Sequence, residues 1–148
     1  MPETVLATIG YESATQGKVI ETLKGAGVEV VVDVRAVASS RRAGFSKTLL
    51  AGSLADAGIG YVHLRALGTP KPGRQAARAG RTAEMHAIYE AHLAEPQAQL
   101  ELAAAADIAR ARKAALLCYE ADPTGCHRLI VAERLQEAIG CEIEHLRP

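Results

Sequence analysis

The stretch of the chain with the most reactive side chains is residues 118–128, CYEADPTGCHR. It contains two thiols, two carboxylates, an imidazole and a guanidinium. An apolar run at 114–117, typical of a buried strand, precedes it, and a segment with helical spacing at 129–139 follows it. Because an open parallel sheet binds ligands beyond the carboxyl ends of its strands, this segment is predicted to carry the functional site.

The two cysteines of this segment are predicted to lie in different environments. Cys126 follows a Pro-Thr-Gly turn and is predicted to start the helix, where the helix dipole stabilises a thiolate. The same dipole favours a neutral imidazole at His127, which suits a base or a hydrogen-bond donor. Cys118 directly follows the predicted strand, beside acidic residues that raise the pKa of a thiol, so it is predicted to be a core cysteine.

Glu120 and Arg128 are the charged residues of this segment with the clearest predicted roles. Glu120 lies just past a buried strand, where desolvation raises the pKa of a carboxyl group, so it is predicted to be a general acid or base. Arg128 is predicted in the first turn of the helix, where the dipole disfavours a cation. It therefore needs a negative partner, and the alternatives are Glu120, Asp122, Asp33 or a ligand phosphate.

A metal site is the alternative use of the same residues. Cys118, Cys126 and His127, with His63 or His145, have the atoms that bind zinc. However, no CxxC or HxxxH pair provides the short ligand spacing of a recognisable zinc motif. We therefore predict no metal ion and no cofactor from the sequence.

Polar side chains also lie at the ends of the other predicted strands. Tyr11 comes just after the first strand, and Tyr61 lies in the third. Asp33 and Arg35 are two residues apart at the end of the second strand, so their side chains point to the same side. They form either an ion pair at the edge of the crevice or part of the catalytic and ligand-binding set.

The positive charges are concentrated in one part of the chain, although the net charge is zero. Residues 35–81 contain nine lysines and arginines and one acidic residue, whereas the rest of the chain contains eight basic and sixteen acidic residues. Such a cluster attracts an anionic partner, which favours a phosphate-bearing small molecule or a nucleic acid. The alternative is a solvated basic surface. The predicted substrate-binding residues of this stretch are Arg35, Ser40, Arg41, Tyr61, Lys71 and Arg74, and Tyr11 and Arg128 are predicted to bind the substrate with them.

Residues 65–81, RALGTPKPGRQAARAGR, are the longest stretch without a clear pattern of helix or strand. They contain two prolines and five basic residues. Long loops inside a domain are commonly lids or binding loops. This one is therefore predicted to be irregular and to become ordered when it binds an anion.

The other segments alternate between strands and helices. Strands are predicted at residues 5–9, 29–34, 60–63, 114–117 and 142–146. Helices are predicted at residues 15–24, at 45–57 with Ser46 as N-cap, at 82–95, at 96–112 and at 129–139 with Cys126 at the start. This alternation predicts an α/β fold, a single three-layer domain over residues 1–148, with about five mostly parallel strands and helices on both faces of the sheet.

Length and composition place the chain among globular domains with an aliphatic core. It has 148 residues, of which 49% are hydrophobic and 3% aromatic. No run approaches the roughly 18 apolar residues that a membrane-spanning helix needs, so no membrane association is expected. Its three cysteines lack a disulfide spacing pattern, which favours a reducing compartment and hence the cytoplasm. Nothing in the sequence indicates the oligomeric state.

Four segments together resemble the domain-of-unknown-function 488 (DUF488) family: TIGYES, VVDVRAVASSRRAGFSKTLL, AGIGYVHLRALGTPKPGR and ALLCYEADPTGCHRLIVAERL. The resemblance extends over essentially the whole chain and includes the elements DVR, SRR, LG and CxE...CHR in this order. It implies a small α/β domain with a polar pocket, and it implies no reaction. The implied pocket residues are Tyr11, Asp33, Arg35, Ser40, Arg41, Tyr61, Glu120, Cys126, His127 and Arg128. Family members often have proline after DVR, where this chain has Ala36.

A weaker similarity is to rhodanese-like domains, in which a strand with Asp-x-Arg and a later strand that ends in a nucleophilic cysteine flank one pocket. Asp33, Arg35 and Cys118 fit that outline. The loop after Cys118 does not fit it, because this loop is long and acidic, whereas a rhodanese loop is compact and binds an anion with its backbone amides.

The sequence supports three functional hypotheses. The first is a hydrolase or group transferase that binds a phosphate-bearing ligand through its arginines and uses Glu120 or His127 to move a proton, with Cys126 and Asp33 as further catalytic candidates. The second is a transferase of sulfur or acyl groups that depends on Cys126 or Cys118. The third is a noncatalytic module that binds nucleic acid or another partner.

Overall fold

The structure is a computed structural model that describes residues 4–148. Its sheet has five parallel strands in the order β3-β2-β4-β1-β5. The strands are β1 (Val5–Gly10), β2 (Val30–Asp33), β3 (Gly60–His63), β4 (Ala114–Cys118) and β5 (Glu142–Leu146). The α-helices of the described residues are α1 (Gln16–Gly25), α2 (Lys47–Asp56), α3 (Lys71–Arg78), α4 (Thr82–Leu93), α5 (Pro96–Ala111) and α6 (His127–Ile139).

Helices cover both faces of the sheet, because successive residues of a buried strand point to opposite sides. Val31 of β2 belongs to a core cluster that includes Leu23 of α1 and Leu50 of α2. Val32, the next residue of β2, belongs to a second cluster that includes Tyr89 of α4 and residues of α3, α5 and α6. The predicted α/β class, with a parallel sheet between two layers of helices, is therefore confirmed.

The bounds of most elements agree closely with the sequence patterns. The strands β3 and β5 begin and end at the predicted residues, and the ends of the other predicted strands and helices lie within two residues of the predicted ones. Cys126 is the N-cap of α6, as predicted. Ser46 is the N-cap residue of α2, but its hydroxyl accepts from the backbone N–H of Ser40 and makes no capping hydrogen bond to the helix.

The prediction that residues 65–81 form an irregular loop is wrong. A short 3₁₀ helix covers Arg65–Leu67, and α3 covers Lys71–Arg78. Proline and glycine disfavour the interior of a helix, but here proline lies in the first turn, where a helix tolerates it. Gly73 and Ala76 are the buried residues of α3, and Ile88 of α4 lies close to Gly73. These small residues let α3 pack tightly against α4.

Among residues 4–148, no helix is both long enough and apolar enough to cross a membrane.

Candidate functional site

The carboxyl ends of β1, β2 and β4 open into a cleft of about 660 Å³, which we call the arginine cleft because Arg41, Arg74 and Arg78 line it. Tyr119, which sequence reasoning left without a role, also lines it and is 45% exposed. Eight of the predicted site residues line the cleft: Tyr11, Arg35, Ser40, Arg41, Arg74, Glu120, Cys126 and His127.

The other four predicted site residues lie outside the lining of the cleft. Asp33 and Arg128 are completely buried. Tyr61 is partly buried, and its hydroxyl donates to Asp33 Oδ2 at 2.5 Å. Lys71 lines a neighbouring cavity of about 500 Å³, which Arg74 also lines.

Asp33 and Arg35 form a buried ion pair, which was one of the two alternatives for these residues. Arg35 Nη2 lies 2.7 Å from Asp33 Oδ2, and Arg35 Nε lies 2.9 Å from Asp33 Oδ1. Its Nη1 donates to Tyr11 Oη at 3.0 Å and to the carbonyl oxygen of Phe45 at 2.7 Å. Burial by itself lowers the pKa of Arg35, but the hydrogen bond and charge of Asp33 outweigh this effect and raise the pKa above its ordinary value. Most donors of this guanidinium are therefore occupied by the protein.

The two polar residues of β3 support this ion pair from the neighbouring strand. Burial, followed by the hydrogen bond to Asp33, raises the pKa of Tyr61 above its ordinary value. His63 Nε2 lies 2.7 Å from the carbonyl oxygen of Arg35. Because both side chains bond to groups of β2 and the residues after it, their contacts fix the position of the ion pair.

Arg128 organises the loop between β4 and α6. Its Nη1 donates to the carbonyl oxygen of Glu120 and to Cys118 Sγ, the latter at 3.1 Å, and its Nη2 donates to the carbonyl oxygen of Ala121 at 3.1 Å. The predicted carboxylate partners of Arg128 are thus replaced by backbone carbonyls and a sulfur. Burial lowers the pKa of Arg128 to about 10, although the charge of Glu120 opposes this shift.

The acidic residues around this loop have separate roles. Asp122 Oδ1 accepts from the backbone N–H of Thr124 at 2.9 Å and so stabilises the short turn before Cys126. Glu12 Oε1 accepts from the backbone N–H of Ala121 at 3.1 Å. Glu120 is the acidic residue that lines the arginine cleft. Burial raises the pKa of Glu120, while Arg128 opposes this rise.

The sulfur atoms of Cys118 and Cys126 meet on the floor of the cleft as a disulfide, although the sequence has no disulfide spacing pattern. Both cysteines are buried, so burial does not distinguish Cys118 from Cys126. Cys126 Sγ accepts from the backbone N–H of Arg128 at 3.4 Å, and Cys118 Sγ lies 3.5 Å from Glu120 Oε2. The two cysteines are eight residues apart, which is no common disulfide spacing. They meet because the loop after β4 returns to the sheet at the start of α6, and this path is not visible in the sequence.

His127 is held in one orientation beside this sulfur pair. Its Nε2 lies 2.6 Å from the carbonyl oxygen of Val34, and its Nδ1 lies 3.7 Å from Cys126 Sγ. The edge of its ring packs against Tyr89. Burial lowers the pKa of His127 to about 4, and it is a larger cause than any nearby charge.

The arginines at the opening of the cleft differ from the buried ones in their partners. Arg41 and Arg78 are exposed, and among residues 4–148 no hydrogen bond or ion pair holds their side chains. Arg74 is partly buried, and its Nη1 donates to the carbonyl oxygen of Thr69 at 3.0 Å. Arg74 and Arg78 are four residues apart in α3, so they lie on one face of that helix.

A family model described as domain of unknown function DUF488 matches residues 15–135. The chain belongs to this family, and the resemblance predicted from the sequence is confirmed. No curated protein and no solved structure matches the chain significantly.

Proposed function

We propose that this member of the DUF488 family binds a phosphate-bearing ligand in the arginine cleft and acts on it as a hydrolase or group transferase. The observation that carries the proposal is the convergence of Arg41, Arg74 and Arg78 on one cleft, where Arg41 and Arg78 have no partner among the described residues. Arginine binds phosphate oxygens through paired N–H donors, and an unpaired guanidinium keeps those donors free.

The size and lining of the cleft favour a small ligand of nucleotide size. A volume of about 660 Å³ lies within the range of roughly 300–1,000 Å³ that is usual for small-molecule sites. Tyr119 offers an exposed ring on which a base can stack, whereas the ring of Tyr11 is already stacked on Phe45. A nucleoside phosphate is therefore the ligand class that we assign.

Glu120 and His127 are the two candidates for the proton transfer, and their positions in the cleft favour Glu120. Glu120 lines the cleft and carries a carboxylate, which can take a proton from an attacking hydroxyl group or give one to a leaving group. His127 is less suited, because its Nε2 is bonded to the carbonyl oxygen of Val34 and its Nδ1 faces Cys126. We therefore assign the proton transfer to Glu120 and a supporting role to His127.

Calorimetric titration of the full chain with ATP, AMP and pyrophosphate tests the binding. Arg41→Gln and Arg78→Gln should each weaken ATP binding about tenfold or more, because each removes a charged hydrogen bond worth about 1.5–3 kcal/mol. Arg110→Gln is the matched control, since Arg110 is an exposed arginine whose partner is Asp107 on the same helix. Unchanged affinity in both cleft variants, or no binding of any of the three probes, would refute the proposal.

A titration with a fluorescently labelled oligonucleotide separates the enzyme from a nucleic-acid-binding module. A protein that neutralises several phosphates loses affinity linearly with the logarithm of salt concentration. A nucleotide enzyme should bind ATP more tightly than the oligonucleotide, and its ATP affinity should depend more weakly on salt. Tight oligonucleotide binding with a steep salt dependence, lowered in Arg74→Gln, would instead support the noncatalytic module.

A further inference from the structure

Three potential metal ligands lie together on the floor of the arginine cleft. The sulfurs of Cys118 and Cys126 and a ring nitrogen of His127 all lie within 4.8 Å of one another, and all three residues are buried. Thiolate and imidazole ligands are those that zinc prefers. Cys126 and His127 lie at the start of α6, and Cys118 lies at the end of β4.

Each of these three side chains has a hydrogen-bond partner that favours the form in which it would bind a metal ion. The backbone N–H of Arg128 points at Cys126 Sγ, and its guanidinium points at Cys118 Sγ, so both sulfurs receive a donor that stabilises a thiolate. His127 Nε2 lies 2.6 Å from the carbonyl oxygen of Val34. Since only an N–H donates to a carbonyl, the proton is on Nε2 and the lone pair of Nδ1 faces the sulfurs. A metal-bound histidine usually has this kind of outer hydrogen bond.

We propose that, when Cys118 and Cys126 are reduced, their thiolates and His127 Nδ1 bind one zinc ion. Reduction of the disulfide by a thiol reductant adds two electrons and two protons, and zinc binding then releases the two thiol protons. The proposal concerns the ion and its ligands, and it does not depend on the proposed nucleotide ligand.

The distances between the ligand atoms fit this geometry once the two sulfurs, bonded to each other in the disulfide, have separated on reduction. Zinc bonds of about 2.3 Å to sulfur and about 2.0–2.1 Å to nitrogen, at tetrahedral angles, place sulfur and nitrogen about 3.6 Å apart and two sulfurs about 3.8 Å apart. His127 Nδ1 already lies 3.7 Å from Cys126 Sγ. The Cα atoms of the two cysteines are 7.7 Å apart, beyond the usual range of about 4.4–6.8 Å for a disulfide. Two cysteines that share one ion suit this longer separation.

The fourth position of the ion would face the cleft. Cys118, Cys126, His127 and Glu120 all line it, and Glu120 Oε2 lies 3.5 Å from Cys118 Sγ. Three protein ligands with one position open to water or substrate are typical of catalytic zinc sites, whereas structural sites have four protein ligands. The site is therefore assigned to the catalytic class, with Glu120 beside the open position.

Metal uptake by the reduced full chain tests the proposal. The protein is treated with a phosphine reductant and a chelator, loaded with zinc or Co²⁺ without oxygen, and freed of unbound metal by gel filtration. Elemental analysis should find about one zinc ion per chain, and the Co²⁺ form should show thiolate-to-metal charge-transfer absorption in the near ultraviolet. Cys118→Ser and Cys126→Ser should each lose the bound zinc and this absorption, and Cys141→Ser, which changes the third, buried cysteine, should retain both.

The wild-type spectrum decides the matter even where a variant fails to fold. Less than about a tenth of a zinc ion per reduced chain, or a Co²⁺ spectrum without charge-transfer bands, would overturn the proposal. Full zinc content in folded Cys118→Ser would also overturn it. The zinc-binding samples contain no phosphate ligand. A negative zinc result therefore does not affect the test of nucleotide binding, and a negative nucleotide result does not affect the test of zinc binding.

Discussion

Gly10, at the carboxyl end of β1, lies directly against the loop that carries most of the candidate site. A Cβ atom at this position would lie 1.8 Å from the carbonyl oxygen of Glu120 and 2.9 Å from Arg128 Nη1. Non-bonded Cβ contacts essentially never fall below 3.0 Å, so in Gly10→Ala the carbonyl group must move by about 1.2 Å or more. That movement disrupts the hydrogen bond which this carbonyl accepts from Arg128.

The expected cost of Gly10→Ala has two parts. Overpacking of a well-packed interior costs about 1–3 kcal/mol. A hydrogen bond of a charged group is worth about 1.5–3 kcal/mol, and Arg128 cannot replace it with water because its side chain is completely buried. We therefore expect the free energy of unfolding to fall by about 2.5–6 kcal/mol, a large share of the roughly 5–15 kcal/mol of a typical domain.

Urea denaturation of the reduced full chain measures this cost, with Gly17→Ala as the control. Gly17 lies in α1, and a Cβ atom there would have no neighbour within 4 Å. The control should be unchanged or more stable by about 0.4–1 kcal/mol, because alanine restricts the unfolded chain. A loss of less than about 1 kcal/mol in Gly10→Ala would refute the reasoning, since the loop would then move without cost.

Three further predictions concern the groups around the sheet edge. Arg35→Met should lower the free energy of unfolding by about 3–5 kcal/mol, measured by urea denaturation, because it leaves Asp33 buried without its cation. Tyr61 has a raised pKa, so its contribution to stability should be complete below about pH 10 and decline above it, and alkaline titration of tyrosine absorbance should show one resistant group fewer in Tyr61→Phe. Gly68→Ala should lower the melting temperature, because its Cβ would lie 2.1 Å from the backbone nitrogen of Ala36; an unchanged melting curve would contradict this contact.

The strands with continuous apolar runs were predictable, because a strand that is buried on both faces needs apolar residues along its whole length. The run VVVD of β2 and the run AALLC of β4 are buried along their whole length, as expected for central strands of a parallel sheet. Helix α3 was missed because its sequence, KPGRQAAR, is polar and has proline and glycine in the first turn. Packing against α4 supports the helix, and local helix propensity does not take such a tertiary contact into account.

The convergence of several candidate residues on one cleft was predictable from the topology, whereas their hydrogen-bond partners were not. Strand ends that share one edge of a parallel sheet bring Tyr11, Arg35 and Glu120 to one cleft. The path of residues 119–126 determines which oxygens face Arg128, and no periodic pattern describes such a loop. The same path brings Cys118 against Cys126, although eight residues separate them and no short motif marks the pair.

Burial divides the arginines of this region into two groups with different chemistry. Arg35 and Arg128 use their donors on Asp33, on backbone carbonyls and on a sulfur, so a ligand that bound them would have to break buried hydrogen bonds. Each such bond costs about 1.5–3 kcal/mol to lose, which cancels much of what a phosphate contact supplies. Arg41 and Arg78 are exposed, and among residues 4–148 they have no such hydrogen bonds to lose. An anion that binds in this cleft should therefore contact Arg41 and Arg78 rather than the buried Arg35 and Arg128.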